Sequence, residues 1–100
     1  MSQSVLATPL TLPCGAVLPN RLGKGAMTEG LADEHNRATA RHVTLYKRWS
    51  EGGTGMLLTG NVQIDRHYLE RPGNVAIDGS NGGLKELEAY AAAGTSNGNH

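Results

Sequence analysis

Short apolar runs separated by turn residues alternate along this chain with two stretches of helical spacing. Apolar pieces at residues 10–12 and at Val17–Leu18 flank Pro13, Cys14 and Gly15, which predicts a small hairpin. Residues 22–27 predict a strand from context, since Gly23, Gly25 and the lack of β-branched residues weaken its intrinsic preference. Its carboxyl end opens into a small polar turn at Ala26, Met27, Thr28, Glu29 and Gly30. A helix is predicted over Ala40–Glu51: Thr39 can cap it, and Val43, Tyr46 and Ser50, or Leu45 and Trp49, recur at helical spacing. Gly52 and Gly53 end it. Residues 56–59 form a continuous apolar run, suited to a strand buried on both faces, and stop at Gly60 and Asn61. Residues 61–83 read as one irregular segment, far above the median loop of about five residues, with a tight turn at Arg71, Pro72 and Gly73. Ser80 or Asn81 then opens a second helix over residues 84–93, with Leu84, Leu87 and Ala91 on one stripe and Gly94 as its stop.

Strand, helix, strand is a βαβ unit, with an expected right-handed crossover. The chain is therefore α/β: a hairpin over residues 8–20, a first βα unit over 21–53 and a second over 54–100, with a third strand expected near Asn99 and His100. Both parallel strands aim their carboxyl ends at one face, where such folds place their chemistry. One hundred residues fall well short of the roughly 250 of a closed α/β barrel, so the expectation is one partial domain.

Composition narrows the partners. Hydrophobic residues make up 38% of the chain and Gly adds 14 positions, a globular rather than disordered balance. Nine basic and nine acidic residues cancel, leaving no electrostatic footprint for nucleic acid or an anionic membrane, and so favouring a small-molecule partner. Cys14 stands alone, which excludes an internal disulfide; with no long apolar run and no signal-like start, the expected compartment is the cytoplasm.

Most polar candidates have ordinary explanations. Glu29 and Asp33 share no helix face with a partner and read as solvated loop charges. His35, His42, His67 and His100 lack metal-ligand spacing, so no metal site is expected. Gly79, Ser80, Asn81, Gly82 and Gly83 match neither dinucleotide nor P-loop patterns and read as capping. Taken alone, Gly60 reads as a strand terminator.

Residues 24–33, together with Leu57, Leu58, Thr59, Gly60 and Asn61, resemble the amino-terminal part of the Old Yellow Enzyme family. Leu18, Pro19, Asn20, Arg21 and Leu22, and the Arg71, Pro72, Gly73 turn, extend the resemblance from about residue 10 to the end of the chain. It implies an amino-terminal fragment of a (β/α)8 TIM barrel, about two βα units after the hairpin, belonging to an FMN-dependent oxidoreductase. Such an ene-reductase-like enzyme takes hydride from NADH or NADPH onto flavin and passes it to an activated, electron-poor alkene. By the same resemblance Ala26, Met27 and Thr28 pass beneath the flavin ring, and Gly60 lies beside its pyrimidine portion. Relatives often carry proline at the position of Ala26, so this chain has a looser turn with its backbone groups kept. The Thr28 hydroxyl would face the flavin edge near O4 and N5; a hydrogen bond to developing charge there, about 1.5–3 kcal/mol, would tune the potential by tens of millivolts. The family's substrate-gripping pair and tyrosine proton donor belong to later strands, so no catalytic residue is expected in this chain. A homo-oligomeric full-length protein is compatible with the resemblance. The alternative is a truncated, non-catalytic module that associates with a partner through its open sheet edge. Residues 1–100 alone are expected to be inactive and to bind FMN weakly or not at all.

Overall fold

The computed structural model describes residues 4–100. The hairpin forms from β1 (Leu10–Thr11) and β2 (Val17–Leu18), paired antiparallel across the Pro13 to Gly15 turn, with Gly15 at φ 94°. The chain then enters β3 (Gly23–Lys24), crosses through α1 (Ala40–Glu51) and returns as β4 (Met56–Leu57), parallel to β3 with Gly23 opposite Met56. β5 (Val62–Gln63) and β6 (Val75–Ala76) follow, and α2 (Leu84–Gly94) packs on α1. No helix is long and apolar enough to cross a membrane among the described residues.

His100 adds to this sheet. Its amide donates to the Gly55 carbonyl at 3.0 Å and its carbonyl accepts from Leu57 N–H at 2.7 Å, a parallel pattern on the β4 edge opposite β3. The segment that brings it there is held by α1. Ser50, fully buried on the helix, donates to Asn99 Oδ1 at 2.5 Å and accepts from Asn97 N–H at 3.0 Å.

α1 has the bounds its spacing predicts, but its buried stripe is His42, Tyr46 and Ser50 rather than Val43, Tyr46 and Ser50. The change at the first position comes from the cap. His42 is the third residue of the helix and its Nδ1 accepts the Thr39 amide at 2.9 Å, closing a capping box in which His replaces the usual Glu or Gln. The core lies between the helices: Tyr46 and Tyr90 rings are 4.8 Å apart, His42 and Tyr90 4.9 Å, and Trp49 meets Tyr46 edge-on at 5.1 Å. Ala38 and Val75 complete the buried cluster, flanked by Leu57, Val62 and Leu87.

Three local expectations are corrected. Both barrel-type strands are shorter than the expected 22–27 and 56–59, because the last ladder bond, Leu58 N–H to the Lys24 carbonyl at 3.0 Å, is followed by the tips described below. The segment 61–83 is not irregular throughout. β5 and β6 pair in parallel inside it, and Val75 and Ala76 are buried against the helices. Buried Asn74 nucleates its turn, its Oδ1 accepting from Glu70 N–H at 2.9 Å and Arg71 N–H at 3.1 Å. Finally, α2 is preceded by Gly83, with no side-chain cap, and runs through Gly94. Ser80 bonds Asp78 instead, and Asn81 accepts from Gly83 N–H at 3.1 Å while its Nδ2 donates to the 35–36 loop.

Candidate active site at the strand tips

Parallel pairing places the carboxyl ends of β3 and β4 side by side, and the two following loops meet there. Ala26, Met27 and Thr28 form the first tip and all are exposed. Among the described residues, nothing accepts a hydrogen bond from their three backbone amides. Consecutive free donors on an exposed tip can face an electron-rich edge.

Gly60 forms the second tip and is packed directly against the first. A Cβ built on Gly60 would fall on the Met27 carbonyl oxygen and 2.5 Å from Glu29 Oε1. The bareness of Gly60 is therefore required by the chain's own backbone, whatever lies above it. Its amide donates to Glu29 Oε2 at 2.9 Å and approaches the Tyr46 hydroxyl oxygen at 3.2 Å. Tyr46 in turn donates its hydroxyl proton to the same Glu29 oxygen.

Glu29 thus corrects its reading as a solvated loop charge. The turn after Met27 folds the side chain back toward α1, where two donors converge on one carboxylate oxygen. Asp33 is likewise engaged. It accepts from His35 N–H at 2.8 Å and Arg37 N–H at 2.9 Å, and pairs with the Arg37 guanidinium at 2.9 Å.

The electrostatics follow from this packing. Burial pushes the Tyr46 hydroxyl well above the ordinary phenol range, and the bond to Glu29 adds to it, so Tyr46 remains a donor at neutral pH. Burial raises Tyr90 to about 12. Lys24 leaves β3 on the helix side, with its Nζ 4.8 Å from the Trp49 ring centre and 5.4 Å from that of Tyr46. Burial lowers its pKa, and the Glu29 charge opposes that shift.

The loops after the two strands are zipped together along their length. Thr28 Oγ1 donates to Asn61 Oδ1 at 2.5 Å, Ala32 N–H to Gly73 O at 3.0 Å and Ala76 N–H to Asn36 O at 2.8 Å. Gly73 sits at φ 90° with a built Cβ 2.8 Å from the Gly30 carbonyl oxygen, so only glycine serves at this crossing. Asn81 closes the far end, its Nδ2 reaching the carbonyls of His35, Asn36 and Ala76 at 3.0–3.2 Å.

The structure therefore brings Ala26, Met27, Thr28 and Gly60 together at one end of the sheet. Sequence reasoning did not place Glu29, Tyr46 and Asn61 with them. Only Asn61 had a local signal, as the polar residue directly after the strand-ending glycine.

No family model matches the chain. The crystal structure of the old yellow enzyme homologue from Zymomonas mobilis superposes with a TM-score of 0.81 at 17% identity, over 96% of this chain and 26% of that one. The strand tips thus belong to part of a (β/α)8 barrel, without the remaining strands that close it. The chain is also 41% identical to the NADH-dependent flavin oxidoreductase iliE of Hypocrea jecorina, over 78% of this chain and 20% of the relative. The iliE protein of Neonectria sp. is 41% identical over 90% of this chain and 12% of its own length. The chain belongs to the Old Yellow Enzyme family, and spans a fifth or less of the length of these two curated relatives.

Proposed function

We propose that this chain supplies the flavin-facing strand tips of an FMN-dependent NAD(P)H oxidoreductase of the ene-reductase type, acting on electron-poor alkenes. The observation that carries the reading is the exposed tip itself, where the amides of Ala26, Met27 and Thr28 lie next to the Thr28 hydroxyl and have no acceptor among the described residues. When bound, the flavin supplies two-electron hydride chemistry that no side chain can perform.

The chain's own residues bind and position. The three amides present donors to the polar edge of the ring, preorganised because the tip is backed by Gly60 and Glu29. Thr28 provides a hydroxyl at the same edge, and the half-exposed Met27 side chain provides an apolar flank. Glu29 and Tyr46 hold the tips on α1 and stay out of the reaction. No residue of this chain is assigned a catalytic role. The names of the curated relatives favour NADH over NADPH as hydride donor, and the lone Cys14 favours a reducing compartment such as the cytoplasm.

The test uses the full-length protein. Purified material should be yellow, carry one FMN per chain, bleach with NADH under anaerobic conditions and recover its colour on adding an α,β-unsaturated ketone. A colourless protein that takes up no FMN, or a flavin that NADH does not reduce, overturns the reading.

A further inference from the structure

We infer that Asn61 is a positioning residue that sets the direction of the Thr28 hydroxyl proton at the flavin edge, an inference that rests on the flavin reading above. Thr28 Oγ1 has one described partner, Asn61 Oδ1, and donates to it at 2.5 Å. A hydroxyl carries one proton and two lone pairs. With that proton on Asn61, Thr28 offers a ligand only an acceptor, which is the wrong polarity for a ring edge that gains negative charge on reduction.

The carboxamide resolves the conflict. It holds an acceptor and two donors on one planar group, and a half-turn about its Cβ–Cγ bond exchanges them at the same place. With Nδ2 toward Thr28, the amide donates into Oγ1 and the hydroxyl proton points outward. The backbone that carries Asn61 does not need to move for this exchange. Gly60, the preceding residue, is fixed by its amide bond to Glu29 at 2.9 Å and by its contact with the Met27 carbonyl. Asn61 therefore controls which end of the Thr28 hydroxyl dipole faces the cofactor. Aspartate at the same place accepts only, and keeps the proton turned inward.

The experiment compares the affinities of oxidised and reduced FMN in the full-length protein and its variants, read from the midpoint potential of the bound flavin. Asn61→Asp is expected to weaken reduced relative to oxidised FMN about tenfold, a shift of ~30 mV to more negative potential for a two-electron couple. Asn61→Ala, which introduces no charge, is expected to change the ratio about threefold when Thr28 is present and not at all in a Thr28→Val background. That dependence on the Thr28 hydroxyl is what a purely structural role would not produce. A yellow protein in which Asn61→Ala has no effect, or the same effect with valine at position 28, overturns the inference and leaves the flavin reading standing. Wild-type protein that takes up no FMN overturns both.

Discussion

Tyr46, in the middle of α1, donates its hydroxyl proton to Glu29, just beyond the tip of β3. The same carboxylate oxygen receives the amide of Gly60 at the tip of β4. One carboxylate thus joins the helix to both strand ends, and the height of each tip over the sheet is set from below by a core aromatic residue. Rigid support of this kind separates a site held to within about half an ångström from one that is merely present.

Tyr46→Phe removes one of the two donors on Glu29 while keeping the ring packed against Tyr90 and Trp49. A hydrogen bond to a charged acceptor contributes about 1.5–3 kcal/mol, so equilibrium urea unfolding of the full-length protein should show a loss of that size. An unchanged midpoint and slope would mean that solvent satisfies Glu29 equally well.

Gly60→Ala should destabilise the protein by about 1–3 kcal/mol, the usual cost of forcing extra volume into a packed contact. The cause is the overlap of the new Cβ with the Met27 carbonyl and the Glu29 carboxylate. It also follows that loss of flavin in a Gly60 variant is no proof of a direct steric clash with the ring. Thermal unfolding of the flavin-free protein separates the two effects, since only the backbone clash persists there.

Burial lowers the pKa of His42, against a weaker opposing pull from Glu29. The neutral ring accepts the Thr39 amide through Nδ1, which leaves the proton on a buried Nε2 that has no partner among the described residues. The unfolded chain therefore binds more protons than the folded one between the depressed folded value and about 6.5. Stability contributed by His42 is complete above about pH 6.5 and declines as the pH falls from there toward the folded value. His42→Gln keeps an acceptor for the capping box but does not titrate. Urea midpoints measured between pH 8 and pH 5 should fall in the wild type and stay flatter in the variant.

Residues 1–100 alone should associate in solution and bind FMN weakly. Ile64 is 82% exposed, Tyr68 77% and Leu58 50%. Together with the free edge of β3, they leave apolar surface that other strands of a barrel would cover. Size-exclusion chromatography with hydrogen exchange decides the matter: broad, weakly protected species are expected. A monodisperse and strongly protected species would support the alternative of a partner-binding module.

Local pattern was enough for the elements that carry their own signals. α1 announces itself through Thr39, the 3–4 spacing of Tyr46 and Ser50 and the Gly52, Gly53 stop, and the apolar run 56–59 ending at Gly60 marks one strand tip, whereas the strand at 22–27 is read from context. Ala26, Met27, Thr28 and Gly60 are named through the family resemblance and not from local pattern, by which Gly60 reads only as a strand terminator. β5 and β6 could not be read, because a two-residue strand has no period and each is defined only by its partner. His42 was hidden too, since a histidine at the third helical position becomes a cap only when its ring is turned back on Thr39.

What the sequence alone determined, then, is which short segments end in bare, polar tips and that a helix must lie between them, because backbone preference and hydrophobic spacing act over a few neighbouring residues. The tertiary structure decided that Glu29 leaves solvent for Tyr46 and that Asn61 accepts the hydrogen bond of the Thr28 hydroxyl. Those partners lie 17 and 33 positions apart, and only the packing of α1 on the sheet and the parallel pairing of β3 with β4 bring each donor and acceptor within hydrogen-bond reach.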